Sequence, residues 1–354
     1  MIQGVSSNLS KLSTRRTSDA TRTPVRRRAR IAISVLVVAL LISILIGLYV
    51  GFQPIDIHAL QTDPIARAVL FRLRLPRVIM ACTVGASLAL VGASLQALFR
   101  NPLAEPFTLG VSGGASLGAS FAVALGLGID IGGVPIIFVM AFLGATLAVV
   151  LVYRLAHSGG IVMLPGALLL AGVVLNLCAS ACVLIVQYMV DSNRALQILR
   201  WLTGSLDVVG FGLTWRMLIF LVPGWLILGA YARDLHLLAT GEESAATLGV
   251  DVQRTEKIVF FACSLIVGVT VSVGGTIGFV GLIIPHAARL LFGQDVRVLL
   301  PASFLLGATF LVLADTLARV VIAPSELPVG AITALVGGPV FLFLLRRQRR
   351  YSAI

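Results

Sequence analysis

Long apolar stretches separated by short polar ones dominate this chain. A membrane span takes about 20 apolar residues. Ten candidates lie near residues 31–51, 78–99, 107–127, 134–154, 163–189, 215–231, 257–273, 276–292, 299–321 and 329–345, the seventh and eighth parted only by "SVGGT". The pattern predicts an all-α polytopic membrane protein with ten transmembrane helices. An even count puts both chain ends on one side, and both ends are basic. Residues 1–30 carry Lys11, Arg15, Arg16, Arg22, Arg26, Arg27, Arg28 and Arg30 against Asp19, and the other end carries Arg346, Arg347, Arg349 and Arg350. Cytoplasmic flanks collect Lys and Arg, so both termini are expected inside. Residues 100–106, 155–162, 232–256 and 293–298 then face the cytoplasm. Residues 52–77, 128–133, 190–214, 274–275 and 322–328 face outward.

Composition sharpens this picture. Of the 354 residues 58% are hydrophobic and only 12% charged, against about 25% charged in a soluble domain. With a mean hydropathy of +1.03, the main solvent of this chain is lipid. The Ser/Thr/Arg-rich arm at 1–30 has no apolar period and reads as disordered. It is better explained as the basic flank of a first span than as a nucleic-acid contact. A cleaved signal peptide does not fit, because the apolar run from Ile31 is too long and no clear cleavage site follows.

One feature runs against the charge rule. The outer segment before the second span carries Arg67, Arg72, Arg74 and Arg77, and Arg319 lies near the outer end of the ninth. Two readings stand side by side: docking of an acidic partner, or interfacial anchoring by snorkelling side chains. Small residues recur every fourth position at Gly85, Ala89 and Ala93 and at Gly110, Gly114 and Gly118, which predicts close helix packing. "VGGTIGFVGLIIPH", 273–286, is interrupted by glycine, as broken helices lining a cavity are; ordinary connecting turns explain Gly274 and Gly275 equally well.

The chemistry of an enzyme is missing from the motifs. The histidines His58, His157, His236 and His286 are scattered, and no H-E-x-x-H occurs. Cys82, Cys178, Cys182 and Cys263 fall inside apolar runs with neither zinc nor disulfide spacing, so no metal site is expected. Asp315 is the most embedded carboxylate, but Arg319 four residues on offers it a helix-surface ion pair. Asn176 and Gln187, like Gln96, are neutral groups that can line a pathway or bond between helices. No G-x-x-x-x-G-K-[ST] loop is present, so any ATP used must be bound by another polypeptide.

The cytoplasmic stretch "GEESAATLGVDVQR", 241–254, sets small and charged residues on one short helix. Thr240 and Glu243 have capping-box spacing, and Gly249 suits a helix stop. About two turns that bury so little are marginal alone, which points to a partner surface.

Five motifs carry a family resemblance. They are "RLPRVIMACTVGASLALVGASLQALFRNPLAEPFTLGVSGGASLGA" (74–119), "GEESAATLGV", "GFVGLIIPHAARLLFG", "LLPASFLLGATFLVLADTLAR" and "ELPVGAITALVGGPVFLFLLRR". Over about residues 65–346 the chain resembles the FecCD-type permeases of ABC importers, which take up iron–siderophore, haem and vitamin B12. The resemblance implies a type II ABC importer permease fold; with the basic arm at 1–30 and the basic tail at 347–354 read from charge, the ten-span domain is expected at 31–346. It implies a coupling segment at about 236–256, where Glu242, Glu243, Ala245, Ala246, Leu248 and Gly249 meet the ATPase. Arg74, Arg77 and Arg319 match the docking arginines for the periplasmic binding protein, and Asn101 and Leu103 the cytoplasmic gate. The implied partners are a second permease copy, two cytoplasmic ATPase subunits holding ATP and Mg, and the binding protein. The chain itself would bind no cofactor and no nucleic acid. The implied location is the bacterial inner membrane. An ion-coupled secondary transporter of a small solute is the alternative.

Overall fold

A computed structural model describes residues 31–51, 63–157 and 165–351. The basic arm at 1–30 lies outside the described residues. Each of the ten apolar stretches contains one membrane-type helix. Seven are long enough to span by length and composition, and three apolar helices are shorter.

Helix α1 is Ile31–Tyr49. Helix α2 runs from Pro64 to Leu98, with π-type turns at Val69–Arg74. The short helix α3 (Val111–Ala124) and the longer α4 (Ile136–His157) flank a two-stranded hairpin, β1 Asp130–Ile131 and β2 Val134–Pro135. Helix α5 is Pro165–Met189, α6 Ser192–Leu202 and α7 Gly212–Ala230. On the predicted cytoplasmic side come α8 (Ala232–Leu238) and α9 (Glu242–Thr247). The chain finishes with α10 (Val252–Gly274), α11 (Val280–Phe292), α12 (Val296–Val320) and α13 (Val329–Tyr351). Aspartates cap several starts: Asp63 accepts the amide of Ile65, Asp191 those of Asn193 and Arg194, Asp251 that of Arg254, and Asp295 that of Arg297.

Helix α2 is the centre of the bundle and is nearly all buried from Val78 inward. It packs on α12, α11 and α10, while α3 packs on α4 and α5. The small-residue repeats make these contacts. A Cβ on Gly85 would lie 2.3 Å from the carbonyl oxygen of Gly307 on α12, and one on Gly114 would lie 2.3 Å from that of Gly144 on α4. Lipid offers helices no hydrophobic reason to associate, so this backbone approach supplies the packing energy. Branched apolar side chains on α1, α4, α5 and α7 point outward, as lipid-facing surfaces do.

Three boundaries depart from the sequence reading. The outer segment before the second span is helical from Pro64, so Arg67, Arg72, Arg74 and Arg77 sit on α2 itself rather than in a loop. Residues 190–214 hold the amphipathic helix α6, with Ile198 buried and Leu196 and Leu199 exposed. The third and eighth stretches are short helices of 14 and 13 residues, or about 20 Å each at 1.5 Å per residue.

Both short helices begin inside the bundle. Helix α3 starts beside Asn176, half-way along α5, and α11 starts against Leu88 and Gly92 of α2. The segments leading to them, 99–110 and 275–279, meet: Pro106 packs on Gly281, and Phe107 lies against Gly278. Irregular backbone at membrane depth must find partners within the protein. Here side chains supply them. Asn176 accepts from Gly113 N–H at 2.9 Å and donates to the Phe107 carbonyl at 2.7 Å. Gln96 donates to the Gly281 and Leu282 carbonyls at 3.2 and 3.3 Å. Glu105 accepts the amide of Phe279 at 2.9 Å, and Thr276 donates to the Leu202 carbonyl.

Candidate coupling, gate and docking sites

The segment on the predicted cytoplasmic side begins with α8, which buries Leu235 and Leu238. The chain then turns at Gly241, whose φ of 136° favours glycine. Gly241 is the N-cap of α9 and offers no side-chain acceptor. This corrects the expected capping box, because the hydroxyl of Thr240 donates backwards to the Leu237 carbonyl at 2.7 Å. Gly249 stops the helix with a left-handed φ of 86°.

The six coupling candidates divide into two faces. Ala245 is wholly buried and seats α9 on its own chain, together with Val250. Glu243, Ala246, Leu248 and Gly249 are exposed, and Leu248 keeps 60% of its surface. Glu242 is half-buried and forms an ion pair with Arg100. The pair ties α9 to the loop after α2. Glu256, buried on α10, feels both charges.

That loop carries the gate candidates. Arg100 closes α2 in a left-handed conformation, φ 48°. Asn101 accepts the amide of Leu103 through its side chain at 2.9 Å, and its carbonyl accepts the amide of Ala104 at 3.1 Å. Pro102 and Leu103 are exposed at the tip of this tight turn, and Pro106 opens a 3-10 turn over Pro106–Leu109. Asn176 is committed to joining α5, α3 and that turn, so it is a helix-bonding residue. Gln187 is half-exposed on α5.

At the opposite end of α2 the three docking candidates lie in a cage of carboxylates and carbonyls, with Arg74 and Arg319 buried and Arg77 partly so. Arg77 Nε donates to Asp315 at 2.9 Å, and its Nη1 reaches Asp207 at 3.0 Å and Glu326 at 2.6 Å. Arg319 pairs with the other oxygen of Asp315 at 3.1 Å and donates to the Gly47 carbonyl at 3.0 Å. Arg74 donates to the carbonyls of Leu48 and Tyr49 at 3.1 and 3.2 Å. Arg74 and Arg319 thus satisfy carbonyls at the end of α1 that no helical amide can reach. The Asp315–Arg319 pair is present but buried, which corrects its reading as a helix-surface pair. The guanidiniums are held inside the chain rather than displayed, and Arg77 shares its outer edge with the exposed carboxylates of Asp207 and Glu326.

Sequence reading missed Arg100, Glu105, Asp207 and Glu326. A lone cation in a loop gives no sign of the anion it will meet in a fold. "DSNR" before α6 was a usable signal, since Asp191 is a helix cap.

The arrangement has counterparts among known proteins. The model of the FecCD transport family matches residues 35–347. This chain belongs to the FecCD transport family. The FecCD member from Halobacterium salinarum named as a cobalamin import system permease protein is 45% identical over 287 residues, 79% of this chain and 74% of that one. The hemin transport system permease protein of Yersinia pestis is 38% identical over 282 residues, covering 78% and 83%. A solved structure reported as an inward-facing conformation of a metal-chelate type ABC transporter superposes with a TM-score of 0.78 at 32% identity, over 90% of this chain and 99% of that chain. The all-α, multi-pass permease fold expected from the five FecCD motifs is therefore the fold found.

Proposed function

We propose that this chain is the membrane permease of a binding-protein-dependent ABC importer that carries a metal chelate inward: a ferric siderophore, haem or cobalamin. The observation that carries the reading is the FecCD match along nearly all of the membrane domain, shared with relatives named for cobalamin and hemin transport. The exposed face of α9 supports it, because a short helix with Glu243, Ala246, Leu248 and Gly249 turned outward is suited to seat on an ATPase. ATP and Mg would be held by that partner, and this chain would work without chemistry of its own.

In this reading two copies pair in the inner membrane, both termini are cytoplasmic, and two ATPase subunits bind below. The loop at Asn101 and Leu103 forms the inner gate. A periplasmic receptor docks outside on the charge cage, with its acidic groups replacing Asp207 and Glu326 on the outer edge of Arg77. The test is reconstitution of the permease in vesicles with its ATPase and receptor. ATP-dependent accumulation of cyanocobalamin, hemin or a ferric hydroxamate siderophore is expected. Accumulation that persists with a hydrolysis-dead ATPase would favour ion-coupled transport and overturn the reading.

A further inference from the structure

We propose that residues 99–106 form a strap that carries movement of α9 to the start of α11, with Arg100 and Glu105 as its positioning residues at either end. The inference rests on the reading that α9 meets an ATPase. Arg100 is fastened to Glu242 of α9, 142 residues away in sequence. Six residues later Pro106 lies on Gly281, and the Glu105 carboxylate holds the first free amide of α11, that of Phe279. The intervening turn is tied by the Asn101 side chain and by the Ala104 amide, so it moves as one piece. Gln96 adds a second fastening to α11, bonding the Gly281 and Leu282 carbonyls while accepting from Arg289.

Backbone conformation singles out the same two ends. Among the described residues, the non-glycine positions with positive φ are Arg100 at 48° and Phe279 at 68°. Such conformations persist only where the surroundings impose them. One belongs to the residue that grips α9, the other to the residue that Glu105 grips. A half-exposed ion pair stabilises a fold little, so stability does not account for it. Its effect is to fix where α9 stands relative to the strap. A contiguous run of contacts with rigid parts between them is how displacement at one site reaches another.

The experiment measures cargo taken up per ATP hydrolysed by the complete permease, ATPase and receptor in vesicles. The probe is whichever of cyanocobalamin, hemin and a ferric hydroxamate siderophore the unaltered complex accumulates. Arg100→Glu is expected to lower uptake per ATP by about tenfold, with the ATPase still captured. Joining it to Glu242→Arg restores the pair with its polarity reversed and should recover most of the loss. At the far end Glu105→Ala should lower the ratio, and Glu105→Gln, which keeps an acceptor for Phe279, should not. An unchanged ratio in Arg100→Glu, no recovery in the swap, or equal losses in the two Glu105 variants overturns the strap. An unaltered complex that accumulates none of the three probes overturns the functional reading itself, and the strap with it.

Discussion

Single side chains carry unusual responsibility in this bundle. Asp315 is the clearest case, since it holds two guanidiniums in a site from which water is nearly excluded. Breaking a buried pair leaves an uncompensated charge and costs about 3–5 kcal/mol. Asp315→Ala is therefore expected to lower the apparent melting temperature in detergent sharply. Removing the exposed Asp207 carboxylate should change it little; a small effect of Asp315→Ala would refute the cage as a structural element. Asn176→Leu makes a similar test further in. It strands the Gly113 amide, at about 1–3 kcal/mol for a buried group, and leaves the Phe107 carbonyl only its longer bond from the Gly110 amide; thermal stability reads the loss. Neither effect is visible in the sequence. Asp315 and Arg77 are 238 residues apart, and nothing local says that they meet.

Helices and their ends follow more directly from the pattern. Among the described residues hydropathy located the seven span-length helices and the three shorter apolar ones, because apolar length is a property of one segment. It overestimated α3 and α11 for the same reason: the stretches before them are largely apolar, yet the first is a 3-10 turn and the second is not helical. Glycine repeats were legible as contact surfaces, and Gly85 shows the consequence. A Cβ there would collide with the Gly307 backbone, so Gly85→Leu should abolish folded protein, as judged by size-exclusion chromatography. The cap of α12 gives a milder prediction. Arg297, chiefly through its side-chain hydrogen bonds, holds the Asp295 carboxyl below the ordinary carboxylate range. A lowered folded-state value means that the ionised form stabilises the helix above the unfolded value of about 3.9. That contribution disappears as the pH falls through the lowered value. Asp295→Ala should therefore cost about 1 kcal/mol near neutral pH. The gap from the unaltered protein should close on strong acidification, and a gap independent of pH would remove the carboxylate from the account.

For the whole molecule, topology decides what each exposed surface can meet. Family, the multi-pass helical fold and the short helix α9 were readable because motif order and apolar pattern survive in one dimension. The division of α9 into an inner face at Ala245 and an outer face at Leu248 was not, because it depends on how α8 and α10 cradle the segment. This division predicts crosslinking. Leu248→Cys should capture the ATPase through a short bifunctional reagent, whereas Ala245→Cys should not, and gel mobility of the adduct reads the result. Equal capture at both positions would mean that α9 does not sit as described.

The two half-length helices have a further consequence. Where the chain leaves the helical ladder inside the bilayer, four side chains, Gln96, Glu105, Asn176 and Thr276, take over its stitching. Engineers who wish to alter this permease have little freedom at those knots. A library that randomised them would mostly return chains that never assemble.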